Sequence, residues 1–385
     1  KQKKRAALHR APLYMKTEYY SHFFSTICLK TFAALFAIGL TSCDNSFIFD
    51  DEGDCDPYYK VRFVYDMNMK FADAFANEVK DVTLYVIDDR TGRVVFTKHE
   101  SGEALSQPGY MMDVEVEPGN YSLVAWCGEG HRTSFGVTGS ELKADLTCSL
   151  TDRQPYQPGP WDNYDKNKDE ETPKGSHVRS MLHHLYHGKL EAQEFPDTQG
   201  THLYTVRLTK NTNDIHIVLQ HLSGEPVDEK AFTFTITDEN GLMDWDNSLL
   251  SDEPLTYFAW HKKAGIAGLE VPDYTDEDNS PDSRASIVQV SAAVAELSVA
   301  RLMENRRYST FVNIYNQEGE RIVHLPYIDY FLLVKSERFK DMSNQEYLDR
   351  QDDYSMVFFL DEDNRWVNTH IFINSWKIVL QDVGV

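Results

Sequence analysis

Cysteine is sparse in this chain. There are five in 385 residues, Cys28, Cys43, Cys55, Cys127 and Cys148, which excludes a disulfide-built scaffold. Long apolar runs are missing as well. The clearest, Phe32 to Leu40 (FAALFAIGL), is too short for a bilayer, which takes roughly 20 apolar residues as a helix. Positive charge is scarce, with 38 Lys and Arg against 61 Asp and Glu and a net charge of −23. That balance excludes nucleic acid, because neutralising phosphates takes clustered basic side chains. It also excludes electrostatic docking on anionic lipid. Catalytic signatures are absent too: there is no G-x-S-x-G elbow and no Walker loop. Carboxylates are so frequent that no pair stands out as acid and base.

What is present begins with a leader. Lys1, Lys3, Lys4, Arg5, Arg10, Lys16 and Lys30 oppose the single acid Glu18, the FAALFAIGL run follows, and small residues close it. This is the order of a secretory signal. Its ending, Leu40-Thr41-Ser42-Cys43, resembles the bacterial lipobox, in which cleavage after Ser42 leaves Cys43 as an acylated N-terminus. Met15 is a candidate start within it. Removing residues 1–43 takes seven basic and one acidic side chains away and leaves about −29. Membrane attachment is therefore expected through covalent lipid, for which more than one acyl chain gives stable anchoring. Of the remaining thiols, Cys55 with Cys127 is the expected pair, and three buried free thiols is the alternative.

Beyond an acidic tether, 44–56, the chain reads as short strands. YKVRFVY alternates Val61, Phe63 and Tyr65 against Lys60, Arg62 and Val64, the period of a half-buried strand. FADAFANEV has the spacing of a short helix or turn. VTLYVID and RVVFTK flank a DDRTG turn, and MMDVEVEPGNYSLVAWCG reads as a hairpin turning at Pro118-Gly119-Asn120. Residues 151–180 are rich in proline, charge and glycine and read as a linker or long loop. Alternation resumes in YTVRLTK and DIHIVLQ around Asn211-Thr212-Asn213, and turns are expected at Glu239-Asn240-Gly241 and Glu318-Gly319. Pro326 places RIVHLPYIDYFLLV at an edge or bulge. SAAVAELSVARLM fits a strand or a helix. MSNQEYLDRQD is a helix with Ser343 as N-cap and Glu346 completing a capping box. The fold expected is all-β with minor helix: a β-sandwich over 57–150 and a second over 181–385.

Candidate sites are few. In HHLYHG, His183 and His187 would share one face of a helix, but the H-E-x-x-H general base is replaced by His184, so no metal centre is expected. Asp165, Asn167 and Asp169 imitate the opening of a calcium loop, yet Glu170 stands at the glycine position and Ser176 at the bidentate glutamate. Trp126 and Trp376 lie in strand patterns. Trp161, Trp245 and Trp260 fall in loops and could form a sugar platform.

Taken together, Cys55 followed by YKVRFVYDMNMKFADAF, then VTLYVID, PGNYSLVAWCG, LYHG, VRLTKNTNDIHIVLQ, TFTITDENGLMDWDN, Arg301-Leu302-Met303, NQEYLDRQDDY and INSWKIVL, the sequence resembles the FimB-like fimbrial-anchor lipoproteins of type V fimbriae. The resemblance implies two tandem transthyretin-like β-sandwich domains and a lipid on Cys43. It implies no enzymatic activity and no cofactor. It also implies attachment of fimbriae to the outer membrane with control of their length. The expected partners are fimbrillin stalk subunits, joined by strand addition at a groove or bare sheet edge. In NSWKIVLQ, Trp376, Ile378 and Leu380 share a face that reads as a core strand. The rival class is a surface glycan-binding lipoprotein.

Overall fold

The structure is a computed structural model. It describes residues 56–379 except 131–132, 160, 162–174, 272–285, 336–338, 368–369 and 374–375. The expected signal segment with Ser42 and Cys43, the expected tether, Cys55 and the Asp165–Asp169 stretch lie outside the described residues.

Strand follows strand. The first part runs β1 (Pro57–Met67), α1 (Phe75–Glu78), β2 (Asp81–Asp88), β3 (Arg93–Ser101), β4 (Met112–Val114), β5 (Gly119–Gly128), β6 (Phe135–Thr138) and β7 (Thr147–Leu150). Next come β8 (Ser176–Val178), β9 (Leu185–Phe195), β10 (Gly200–Lys210), β11 (Thr212–His221), β12 (Thr233–Asp238), β13 (Leu242–Asp244) and β14 (Leu255–Phe258). The remainder is β15 (His261–Val271), β16 (Ser286–Ala300), β17 (Phe311–Tyr315), β18 (Arg321–Leu325), α2 (Tyr327–Leu333), α3 (Asn344–Arg350), β19 (Asp353–Leu360), β20 (His370–Ile373) and β21 (Trp376–Val379).

Seven strands form one sheet in the order β3-β2-β5-β9-β10-β1-β4. Alternation sends Val61, Phe63 and Tyr65 of β1, Leu84 and Val86 of β2, and Leu123 and Ala125 of β5 into a single core with Tyr186, Phe195 and Tyr204. Strands from both ends of the sheet share that core, so the sheet curls on itself. Lys98 of β3 reaches the Asp113 carbonyl of β4 at 3.2 Å, across the two ends of the strand order. Gly188 of the LYHG segment permits the tight pairing of β9 with β10: a Cβ there would lie 2.6 Å from Val206 Cγ1 and 2.7 Å from the Arg207 carbonyl.

The second half is two sheets face to face, β15-β16-β11-β19-β20-β21 and β18-β17-β12-β14-β8. Ile215, Ile217, Leu297 and Met356 from one meet Phe234, Ile236, Tyr257 and Val312 from the other. A three-stranded sheet, β13-β7-β6, lies between the halves and continues that core onto the outer face of β2 and β5, where Tyr85, Ile87, Val124 and Trp126 point.

Several local expectations hold. The Asp88 carboxylate accepts from the Thr91 amide at 2.7 Å, and Gly92 takes φ +67° to close that turn. Ser343 caps α3, its hydroxyl accepting from the Glu346 amide at 3.0 Å, although Glu346 itself pairs with Arg350 rather than closing the box. SAAVAELSVA is strand β16.

Others are corrected. MMDVEVEPGNYSLVAWCG is no hairpin: β4 pairs with β1, while β5 pairs with β2 and β9. Residues 185–210, expected at the start of the C-terminal sandwich, form β9 and β10 in the seven-stranded sheet. β10 and β11 are separated only by Asn211 yet lie in different sheets. The described residues of 151–180 are not a bare linker, since β8 pairs in parallel with β14 and Gln154 bridges His177. Finally, YIDYFLL is helix α2. Pro326 ends β18, an edge strand, and becomes the N-cap, and the three-to-four spacing of Tyr327, Ile328 and Phe331 buries one helical face.

Candidate functional site

The histidine segment is taken apart by the fold. Leu185 opens β9, so HHLYHG is no helix and alternate residues face opposite ways. His187 is buried, donating from Nε2 to the Trp245 carbonyl at 2.8 Å and resting against the Trp126 ring at 4.5 Å. Burial pulls its pKa down to about 3, so the ring is neutral. His184 pairs with Glu129 at 2.8 Å, and His183 Nδ1 lies 3.1 Å from the Ser134 hydroxyl. The three rings thus have three separate partners. Among the described residues, no group of three or more His, Cys, Asp or Glu could hold a metal ion.

Of the expected Cys55–Cys127 pair, Cys55 lies outside the described residues. Cys127 is a free thiol, 2% exposed in β5, and burial pushes it well above its ordinary range. Cys148 is likewise free and buried.

The loop tryptophans do not make a platform. The Trp161 ring meets Phe258 at 4.9 Å, and Trp245 is covered by the Lys143 and Lys189 ammonium groups at 3.7 and 5.2 Å. Trp260 is 37% exposed and stacks on His261. No ring partner is shared among them. Trp126 is core, and β21, with Trp376 and Ile378, is an end strand paired with β20 alone.

A buried polar hub, which alternation patterns do not reveal, joins the two halves. Asn211, the pivot between β10 and β11, exchanges side-chain hydrogen bonds with Asn247 at 2.6 and 3.1 Å. Asn247 holds φ +73°, a conformation that asparagine tolerates better than most residues. Arg301 donates to the Asn247 carbonyl and grips Asp349 with both Nη2 contacts at 2.9 and 3.0 Å. Asn240 donates to the Arg301 carbonyl at 3.1 Å and accepts from the Tyr257 hydroxyl at 2.6 Å. The TDENGLMDWDN stretch thus supplies a row of side chains that clamps the seam. Unpaired, each would carry the penalty of a buried polar group. β13, from the same stretch, pairs with β7.

At this seam and around it, hydrogen bonds and ion pairs hold the structure. The arrangement defines a β-rich protein built of packed sheets with a hydrogen-bonded seam between its two halves. Among the described residues, the strands at the ends of the sheets include β15, β18 and β21.

Comparison with known families agrees. The family of fimbrillin-A associated anchor proteins Mfa1 and Mfa2 matches residues 51–382, and the chain belongs to it. This is a non-enzymatic family of fimbrial anchors of the cell envelope. Among solved structures, a candidate adhesin of Bacteroides thetaiotaomicron is 33% identical, with 86% of this chain and 100% of that chain covered and a TM-score of 0.69. A candidate polysaccharide-binding protein of the same organism is 28% identical, covering 85% and 99%, with a TM-score of 0.65. The fimbrial anchor protein Mfa2 of Porphyromonas gingivalis shares the fold at 14% identity, covering 85% and 100%, with a TM-score of 0.54. A search of curated protein sequences returned no match.

Proposed function

We propose that this chain is the lipid-bearing subunit that holds a fimbrium on the outer membrane and limits its length. Cleavage after Ser42 exposes Cys43 for acylation, and 44–56 spans from the lipid to β1. The folded part forms two tandem transthyretin-like domains, meeting where β10 passes into β11 rather than at a linker. Fimbrillin stalk subunits add a strand to one of the open sheet edges, main-chain hydrogen bonds supplying affinity. The observation that carries this reading is the anchor-family match over 51–382, directly downstream of the LTSC sequence.

Replacing Cys43 with alanine in the native host tests it. The expected result is secreted protein, with fimbriae shed into the medium or abnormally long. Fimbriae that stay attached and of normal length, with the protein off the membrane, would overturn the anchor role and leave the lipid site standing. A surface glycan-binding role is supported by one observation, the description of the 28% identical relative. The covered rings of Trp161 and Trp245 weigh against it.

A further inference from the structure

We infer that β1 is a mechanical clamp, a strand placed to bear tension between membrane and fimbria in shear and latched at its far end by Arg350. The inference rests on the lipid-anchor reading, which puts the membrane on the N-terminal side of Pro57.

The topology sets the direction of load. β1 pairs with β10 in parallel, from Pro57 opposite Gly200 to Met67 opposite Thr209. Tension from the tether enters β1 at its first residue. It leaves β10 at its last, through Asn211 into β11, a central strand of the C-terminal sandwich flanked by β16 and β19. In a parallel pair, the first end of one strand and the last end of the other lie at opposite ends of the ladder. The pull therefore runs along the strands, and all of the slanted interstrand hydrogen bonds share it at once. Pulled from ends on the same side, the same ladder would open one bond at a time. Sliding β1 would also drag Tyr59, Val61, Phe63 and Tyr65, each no more than 3% exposed, out of the core.

The far end of β1 is fastened twice. Arg207 of β10 pairs with the Asp66 carboxylate. Arg350, the last residue of α3, donates to the Asp66 and Asn68 carbonyls at 2.9 and 3.4 Å and lays its guanidinium over the Phe71 ring at 4.6 Å. Phe71 is half-exposed at φ +54°, a backbone strain that the surrounding turn sustains. Asn68 bonds the Tyr65 and Ala72 carbonyls at 2.9 and 2.8 Å, and Asp73 accepts from the Tyr65 and Phe75 amides at 3.0 Å each. The latch thus hands part of the load from β1 straight to the C-terminal half without passing through β10.

Single-molecule pulling on the soluble chain starting at Asp44 tests the clamp. Handles ahead of Asp44 and at Ser223, in the exposed turn after β11, load β1 and β10 from opposite ends. Handles at Lys70 and Ser223 load them from the same end. The first geometry is expected to need several-fold more force for its first rupture. Arg350→Ala should lower that force, Arg350→Lys should restore part of it, and thermal melting of each variant verifies that it is folded. Equal forces in the two geometries would overturn the clamp. So would an Arg350→Ala protein that melts normally and ruptures at the original force. Because no lipid is present, these outcomes are independent of the Cys43→Ala experiment, and either reading can fail alone.

Discussion

The two halves of this protein enclose their cores by different means. The N-terminal half uses one sheet curled on itself around an aromatic-rich interior, with Tyr59, Phe63, Tyr65, Tyr186, Phe195 and Tyr204 gathered inside. Phe195 stacks on Tyr204 at 4.1 Å and meets Tyr121 edge-on at 5.0 Å, the latter a geometry that aromatic pairs favour. The C-terminal half presses two sheets together over a largely aliphatic core. Four of its buried polar side chains, Asn211, Asn240, Asn247 and Arg301, form the hub at the passage from β10 to β11. Apolar burial is non-directional and closes a core without choosing a partner. The seam is specified by hydrogen bonds that only one docking satisfies.

The largest expected effect breaks the seam. Arg301→Ala leaves the Asp349 carboxylate, 14% exposed, without its bidentate partner. Removing one partner of a buried pair costs about 3–5 kcal/mol, so denaturant titration should show a loss at the upper end of what single substitutions produce. The matching change in the curled sheet is Phe63→Ala, with a loss of about 3–5 kcal/mol from cavity formation. If the seam makes one cooperative unit, the Arg301 variant should separate unfolding into two transitions, whereas the Phe63 variant should keep one.

A smaller effect is expected for the asparagine pair. Asn211→Ala or Asn247→Ala orphans the other amide, costing about 1–3 kcal/mol each. The double variant should cost less than the sum, which a thermodynamic cycle measures. Strict additivity would mean the pair is not coupled.

Two buried groups should give opposite pH slopes. His187, held down to about 3 by burial, cannot take the proton that its unfolded form accepts below about 6.5. Its contribution is therefore present above that pH and lost on acidification towards 3. Burial pushes Asp238 up to about 6, against the Arg306 guanidinium 2.6 Å away that favours the charged form. Asp238 is thus more easily protonated when folded. Its contribution is present below the ordinary carboxylate range and lost as pH rises through 6. Melting temperature against pH should flatten on the acid side in His187→Gln. In Asp238→Asn the gain should appear above pH 6. The smallest effect belongs to the exposed Trp260, whose change to alanine should move stability by about 0.5 kcal/mol or less. Polysaccharide binding lost in Trp260→Ala would revive the glycan reading.

Much of this protein was legible in one dimension. The strand patterns of β1, β2, β5, β10 and β11 and the helix capped by Ser343 could all be read from alternation and caps. The segment ending in LTSC, on which the expectation of export and lipid rests, lies outside the described residues. The hub was not legible, because asparagines and an arginine spaced along turns look like solvated loop until folding buries them.

The sequence by itself determined which segments extend and which of their faces seek the core. A period of two encodes a face but names no neighbour. Only the tertiary structure decided that β4 leaves β5 for β1, that β9 and β10 turn back to the first sheet, and that Asn211 divides two cores. Those choices depend on which apolar faces can be buried together and which polar groups can then be satisfied, and both are properties of the assembled fold.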